Sequence, residues 1–250
     1  MILLLDIVLV IFSILMLWKG ADWLVEAAAE IAHSLKISDL VIGLTVVAFG
    51  TSAPEFAVTI KAALTGQTDI SIGNVVGSNI FNLGFILGGT AMVRAITITP
   101  KLLYRDGIFL LFVTILIYVL FFGFNGWDIT DAITAAEGSF LFLALIGYII
   151  FLFIKKEPME ETHPESADLK SYLWFFAGLI SIVLGGHLMV EHASSLASTF
   201  GVSDWVIAVT IVAAGTSAPE LATSLTAAFK NKHGMAIGNL IGSDLFNLLG

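Results

Sequence analysis

Apolar runs long enough to cross a lipid bilayer dominate the sequence, and polar residues are concentrated between these runs. A bilayer core is about 30 Å thick, so an α-helix needs about 20 mostly apolar residues to span it. We predict spans near residues 2–19, 40–64, 70–93, 107–124, 132–154, 172–197, 205–229 and 235–250. The pattern therefore predicts an all-α polytopic membrane protein with about eight spans.

The composition supports this prediction, because 58% of the 250 residues are hydrophobic and only 12% are charged. Soluble globular proteins carry about 25% charged residues. Eight spans leave no room for a soluble domain, and the net charge of −9 predicts no nucleic-acid partner. The absence of cysteine excludes thiolate metal sites. We expect a multi-pass protein of a prokaryotic plasma membrane, with the lipid bilayer around it, no obligate protein partner and no cofactor.

The basic residues predict the orientation of the chain, since Lys and Arg are enriched in cytoplasmic loops. With the N-terminus outside, nine of the eleven Lys and Arg residues fall in predicted inner loops. These nine are Lys36, Arg94, Lys101, Arg105, Lys155, Lys156, Lys170, Lys230 and Lys232. We therefore predict an outside N-terminus and a short cytoplasmic linker at residues 155–170.

The chain repeats itself at an offset of 165 residues. Residues 43–55 read GLTVVAFGTSAPE and residues 208–220 read AVTIVAAGTSAPE, while IGNVVGSNIFNL at 72–83 matches IGNLIGSDLFNL at 237–248. The alignment of residues 20–85 with 185–250 has no gap and contains 29 identities in 66 pairs. Shared hydrophobicity alone does not produce identical GTSAPE hexapeptides, so we interpret the two segments as copies of one duplicated unit.

The offset also predicts how the two copies are oriented. Five predicted spans precede the second copy, and five is an odd number, so the second copy enters the membrane inverted. Inverted repeats are a recurrent architecture of secondary transporters, with the binding site where the repeats meet at the bilayer midplane. We expect residues 1–154 to form a first five-span repeat and residues 171–250 an incomplete second one. A complete protein of this kind would have ten spans.

Two acidic residues, Glu55 and Glu220, lie in the middle of predicted spans, one in each copy. A charge at the bilayer centre costs about 2.5–3.5 kcal/mol on insertion scales, so such a residue is by default a functional candidate. Each acid follows a proline, Pro54 or Pro219, which breaks a helix and frees backbone carbonyls. Hydroxyl groups flank each break at Thr51, Ser52, Thr216 and Ser217. Carboxylate, hydroxyl and carbonyl oxygens are the ligands that calcium and other hard cations prefer.

A second polar element follows each break. Ser78 and Asn82, and in the second copy Ser243 and Asn247, are four residues apart and so share one helix face. We predict that these four line the ion site. For Asn74 and Asn239, one turn earlier, interhelical hydrogen bonding and ion coordination both remain open. Asp244 replaces the Asn79 of the first copy, and the sequence gives it no ligand role because it lies one residue from this face.

The paired GTSAPE and GS-x-x-FN motifs resemble the alpha repeats of the calcium/cation antiporter superfamily, in particular its sodium/calcium exchanger branch. The resemblance implies that Glu55 and Glu220 are shared carboxylate ligands at the membrane centre, with the carbonyls of Ala48 and Ala213 completing sodium sites. It also implies two long tilted helices, near Ile2–Ser34 and Ser171–Thr199, that slide across a rigid core. The full set of implied ion ligands is Glu55, Glu220, Thr51, Ser52, Thr216, Ser217, Ser78, Asn82, Ser243, Asn247, Ala48 and Ala213.

The sequence thus predicts a transporter rather than an enzyme, with Na⁺ and Ca²⁺ as the exchanged ions. Some relatives carry Asp where this chain has Asn247, so potassium co-transport is less expected here. A proton-coupled calcium exchanger that uses the same carboxylates is the main alternative. A calcium-permeable channel and a non-transporting membrane protein are further alternatives from other classes. The roles of Glu26 and Glu191, which are equivalent in the two copies, remain open between an ion-entry vestibule and solvated helix ends.

Overall fold

The computed structural model describes residues 2–122, 133–155 and 167–250, which are helical apart from short connections. Most of the predicted linker at 155–170 lies outside the described residues. We number ten helices among the described residues, two pairs of which are halves of broken helices. They are α1 (Ile2–Ser34), α2 (Asp39–Thr51), α3 (Ala53–Leu64), α4 (Thr68–Ile80 continued by Phe81–Leu87 and Gly88–Val93), α5 (Leu102–Gly107 continued by Ile108–Phe122), α6 (Ala135–Ile154), α7 (Leu169–Thr199), α8 (Asp204–Ile207 continued by Ala208–Val212 and Ala213–Thr216), α9 (Ala218–Phe229) and α10 (His233–Leu249).

Five helices of the described residues are long and apolar enough to span a bilayer, or six if α2 and α3 count as one bent span. The all-helical prediction is confirmed, and the prediction of eight spans stays a prediction. The predicted second span is broken at Ser52, where the two halves meet at 50°. Large apolar side chains on the outer helices, such as Leu4 of α1 and Leu143 of α6, face outward, as expected for contact with lipid.

The helices α1 and α7 form a long antiparallel pair. Ser195 near the end of α7 donates to Asp6 at the start of α1 (2.8 Å), and Ser171 at the start of α7 donates to Glu30 near the end of α1 (2.5 Å). Between these ends the backbones approach closely, because a Cβ atom on Gly178 would lie 2.7 Å from the carbonyl oxygen of Gly20. Small residues permit such close packing between helices in membranes. The two long helices predicted from the resemblance are therefore present and packed together.

The helix α10 is the most deeply buried element of the second copy. It packs directly on the backbone of α2, since a Cβ atom on Gly238 would lie 2.7 Å from the Leu40 carbonyl oxygen and one on Gly242 2.5 Å from the Leu44 carbonyl oxygen. Only glycine allows this approach. In this way α10, from the second copy, is fixed against α2, from the first copy.

Basic residues from separate connections meet at one end of the bundle. Lys230 contacts both Asp22 (2.5 Å) and Glu26 of α1, and Arg94 donates to Asn231 (2.6 Å). Partial burial by itself would lower the pKa of the Lys230 ammonium, but the hydrogen bonds to Asp22 and Glu26 raise this pKa above its ordinary value. Two of the connections that the sequence assigns to the inner side, at Arg94 and at Lys230 to Asn231, therefore lie together.

Candidate functional site

Each GTSAPE motif forms a break between two helices. Ser52 ends α2 with φ −80° and ψ 4°, and Ser217 ends α8 with φ −88° and ψ 12°. Pro54 and Pro219 then stand in the first turn of the next helix, where a missing N–H group leaves no hydrogen bond unmade. A stretch of π-helix precedes each break, at Gly43–Val47 and at Ala208–Val212. The local geometry of the break thus recurs at the sequence offset of 165 residues.

Each of the two glutamates accepts a hydrogen bond from a serine of the other copy. Ser217 Oγ donates to Glu55 Oε1, and Ser52 Oγ donates to Glu220 Oε1, both at 3.0 Å. Both glutamates are almost completely buried. Within the part of the chain that the structure describes, Oε2 of Glu55 and Oε2 of Glu220 have no hydrogen-bond partner. Each copy therefore supplies the serine that orients the other copy's carboxylate and leaves one carboxylate oxygen available for a cation.

The asparagines one turn before the predicted ligands make interhelical hydrogen bonds. Asn74 Nδ2 donates to Thr59 Oγ1 (2.9 Å), and Asn239 Nδ2 donates to Ser224 Oγ (3.0 Å) at the equivalent position of the second copy. Asn239 Oδ1 also accepts from Thr51 Oγ1 (3.0 Å), which itself lies 3.4 Å from Ser243 Oγ. These contacts bind α4 to α3 and α10 to both α9 and α2. Asn74 and Asn239 therefore make interhelical hydrogen bonds, one of the two roles that the sequence left open for them.

The remaining predicted ligands also meet across the copies. Asn247 Nδ2 donates to Ser78 Oγ and to Asn79 Oδ1, both at 3.1 Å. Asn82 Nδ2 donates to Asp244 Oδ1 at 2.9 Å. Asn82 Oδ1 is buried and, among the described atoms, has no hydrogen-bond partner. The structure thus brings the Ser–Asn faces of α4 and α10 together beside the two glutamates.

Two predicted ligands are more open than their counterparts. Ala48 and Thr51 are fully buried, whereas Ala213 is exposed and Thr216 is half-buried. Ala213 and Thr216 line a cavity of about 280 Å³ together with Asn74 and Ser78 of α4. The Ala48 carbonyl accepts both Ser52 N–H (3.0 Å) and Thr51 Oγ1 (3.2 Å). The Ala213 carbonyl accepts Thr216 Oγ1 at 3.3 Å. The two predicted carbonyl ligands therefore differ in the hydrogen bonds that they already accept.

The ligand set fits a hard cation as transported substrate. Within the described residues no three His, Cys, Asp or Glu side chains form a ready-made metal cluster. A cation bound at the two glutamates would also need the hydroxyl and amide oxygens of the Ser–Asn faces. Calcium takes six to eight oxygen ligands of this type. Such a mixed set suits an ion that has to leave again better than it suits a permanently held metal.

The polar residues that the sequence left unassigned fall into two groups. Asp244 joins Asn82 inside the cluster, and the only signal for it was the mismatch with Asn79 in the repeat alignment. Glu26 binds Lys230 at the surface, and Glu191 is exposed with His187 3.8 Å away. The structure therefore moves Asp244 into the candidate site and leaves Glu26 and Glu191 outside it.

Comparison with known protein families decides the class of this protein. The profile described as sodium/calcium exchanger protein matches residues 5–154 and 170–250. The chain belongs to the sodium/calcium exchanger family. This membership confirms the resemblance noted from the motifs, and it makes the protein a transporter rather than an enzyme. The apolar helices identify it as a multi-pass membrane protein.

Individual exchanger-family relatives agree with this assignment. The chain is 37% identical to the putative antiporter CaxA of Alkalimonas amylolytica, over 94% of this chain and 75% of the relative. It is 31% identical to the sodium/calcium exchanger MaX1 of Methanosarcina acetivorans, over 97% of this chain and 80% of the relative. Its fold matches the sodium-calcium exchanger NCX_Mj soaked with 10 mM Na⁺ and zero Ca²⁺ with a TM-score of 0.86 and 32% identity, over 99% of this chain and 81% of that one.

Proposed function

We propose that this exchanger-family protein is a secondary active antiporter that exchanges Na⁺ for Ca²⁺ by alternating access. The observation that carries the proposal is the pair of buried glutamates, each oriented by a serine of the other copy. Ionisable residues within membrane spans are rare and by default mark ion pathways or proton relays. Hydroxyl and amide oxygens beside them provide ligands for Na⁺ as well as for Ca²⁺.

The proposed site lies between two inverted repeats, at residues 1–154 and 171–250. Several contacts that recur at an offset of 165 support this arrangement, including the crossed serine–glutamate bonds and the Asn74–Thr59 and Asn239–Ser224 pairs. Even the four described residues with positive φ angles form two such pairs. They are Lys36 with Gly201 and Gly66 with Asn231. The site itself comprises the twelve residues that the resemblance implies as ion ligands.

The proposed topology has an outside N-terminus and residues 155–170 on the cytoplasmic side. The meeting of Lys230, Arg94 and Asn231 at one end of the bundle supports it, since these residues belong to predicted inner connections. In this orientation, the cavity between α4 and α8 faces the outer side, and the tight α2–α10 contact closes the inner side. Alternating access would exchange these two arrangements.

Counting charges gives a reason why exchange is obligatory. Glu55 and Glu220 alone give the site a charge of −2, which one Ca²⁺ neutralises. Three Na⁺, the stoichiometry implied by the resemblance, leave +1. An empty negative site is costly to carry through a low-dielectric barrier, whereas a filled one is not. Occlusion therefore requires a bound ion, and the protein does not transport Ca²⁺ without exchanging it for Na⁺.

The test is calcium uptake into proteoliposomes that hold the protein, with and without an outward Na⁺ gradient. We expect Na⁺-driven uptake that Glu55→Gln or Glu220→Gln abolishes, because either change removes half of the glutamate charge. Glu191→Gln is the matched control, since this exposed acid lies outside the site. Uptake driven by a proton gradient instead would support the proton-coupled alternative. Uptake that is unchanged in both glutamate variants would refute the proposed site.

A further inference from the structure

Asn79 and Asp244 occupy equivalent positions in the two copies, 165 residues apart, and they meet. Asn79 Nδ2 donates to the backbone carbonyl of Asp244 at 3.2 Å. Two equivalent residues can contact each other only where the copies face each other, so this pair lies at the centre of the arrangement. The change from Asn to Asp is therefore a difference in charge at the junction of the copies.

The carboxylate of Asp244 is not needed for the hydrogen bond that it makes. Asn82 donates to Asp244 Oδ1 at 2.9 Å, and its counterpart Asn247 donates to Asn79 Oδ1 at 3.1 Å. The same contact thus occurs twice, once with an acid as acceptor and once with an amide. An amide oxygen at position 244 would also accept from Asn82.

The second carboxylate oxygen of Asp244 distinguishes it from the amide of Asn79. Asp244 is fully buried, and its Oδ2 has no hydrogen-bond partner among the described atoms. An asparagine at this position would carry an NH₂ group there, which could donate to the Asn79 backbone as Asn79 does in return. The chain neighbour of Asp244, Ser243, lies 3.4 Å from Thr51, and the residue after Thr51, Ser52, donates to Glu220, so Asp244 belongs to the same polar cluster as Glu220. A buried carboxylate with an unpartnered oxygen costs stability, and a bound cation would offset that cost.

We propose that Asp244 is a third acidic residue of the ion site, which strengthens the binding of Ca²⁺ more than that of any single Na⁺. This inference rests on the proposed ion site and adds a residue to it. Asp244 orients Asn82, whose own Oδ1 is unpartnered among the described atoms, and it adds a third negative charge beside Glu220. A given negative charge attracts a divalent ion twice as strongly as a monovalent ion at the same distance. The added acid therefore favours Ca²⁺ over each individual Na⁺.

The third charge also changes which half of the transport cycle moves charge. With Glu55, Glu220 and Asp244 all ionised the site carries −3. Three Na⁺ then make it neutral, and one Ca²⁺ leaves it at −1. The step that carries Ca²⁺ becomes sensitive to membrane voltage, and the step that carries Na⁺ does not. With the two glutamates alone the opposite holds.

The test compares Asp244→Asn with the double variant Asn79→Asp/Asp244→Asn, which moves the acid to the equivalent position of the other copy. Ca²⁺ binding to the purified protein and its competition by Na⁺ are measured. We expect Asp244→Asn to weaken Ca²⁺ binding about tenfold and binding of each Na⁺ about threefold, because the Ca²⁺ effect is the square of the Na⁺ effect. The maximal uptake rate should change less than the Ca²⁺ affinity. The double variant should restore most of the Ca²⁺ affinity.

Equal weakening for both ions, or none, would overturn the proposal. Charge movement of the unmodified protein on a supported membrane gives a second test that needs no variant. A transient current on adding Ca²⁺ without Na⁺ supports the third charge, and a current only on adding Na⁺ contradicts it. Loss of Na⁺-driven uptake in Glu220→Gln, measured alongside, keeps the two proposals separable. Normal uptake by Glu220→Gln would refute the proposed ion site itself. If Glu220→Gln loses uptake but Asp244→Asn leaves ion binding unchanged, the ion site stands and Asp244 does not belong to it.

Discussion

The same motif packs in two ways in this molecule. In the second copy, Gly242 of α10 lies so close to α2 that a Cβ atom would sit 2.5 Å from a backbone oxygen. In the first copy the equivalent Gly77 of α4 has, among the described residues of other elements, no heavy atom within 4 Å of that position. A cavity separates α4 from α8 instead. Nearly identical sequences therefore support both a closed and an open junction, and the proposed alternating-access cycle requires both.

The largest contrast is expected in chemical accessibility. Thr216 lines the cavity, whereas its counterpart Thr51 is fully buried and bonded to Asn239. The chain has no cysteine, so single Thr216→Cys and Thr51→Cys variants can be labelled without background. If local opening at Thr51 costs about 3 kcal/mol, the rates should differ about 100-fold.

The measurement is labelling of intact cells by a membrane-impermeant thiol reagent applied from outside. Labelling of denatured protein provides the control for total thiol. Equal labelling of the two variants would contradict the open and closed junctions. Labelling of the Thr216→Cys variant only from inside-out vesicles would retain the asymmetry but reverse the proposed orientation of the chain.

A second contrast is expected between Gly242→Ala and Gly77→Ala. The first change forces α10 away from the α2 backbone, and overpacking of this kind typically costs about 1–3 kcal/mol. The second meets open space in this state. We expect Gly242→Ala to lower the thermal unfolding midpoint in detergent and Gly77→Ala to leave it nearly unchanged.

The transport rate sharpens the comparison between these two glycines. If the junctions exchange their arrangements during the cycle, Gly77 must approach α8 in the other state as Gly242 approaches α2 here. Gly77→Ala should then slow Ca²⁺ uptake without loss of stability. Normal uptake by Gly77→Ala would indicate that the α4–α8 junction never closes.

Gly66→Ala, in a connection between helices, is unsuitable as a control because Gly66 has a φ angle of 70°. Gly138→Ala on α6 is suitable, since its Cβ also meets open space.

Sequence reasoning reached the motif geometry but not this asymmetry. Pro54 and Pro219 predicted the helix breaks, and the repeat offset predicted that Glu55 and Glu220 would meet. The difference between Gly77 and Gly242 could not be predicted, because both stand in the same local sequence and their surroundings depend on which state the whole bundle adopts. Asp244 received no role from the sequence because helical spacing within α10 places it one residue off the Ser–Asn face. Its contact comes from Asn82 on another helix.

The smallest contrast is expected at the crossed hydrogen bonds, because there the two copies are alike. Ser52 and Ser217 are both fully buried and each donates to the glutamate of the other copy at 3.0 Å. A hydrogen bond to a charged group contributes about 1.5–3 kcal/mol, so Ser52→Ala and Ser217→Ala should each weaken Ca²⁺ binding about tenfold or more. Their effects should agree within about threefold, which is less than about 1 kcal/mol. Ca²⁺ titration of the two variants beside Ser139→Ala, an exposed serine of α6, measures this. A much larger effect of one serine would mean that Ca²⁺ is held mainly by one glutamate, and the two carboxylates would then not share the ion.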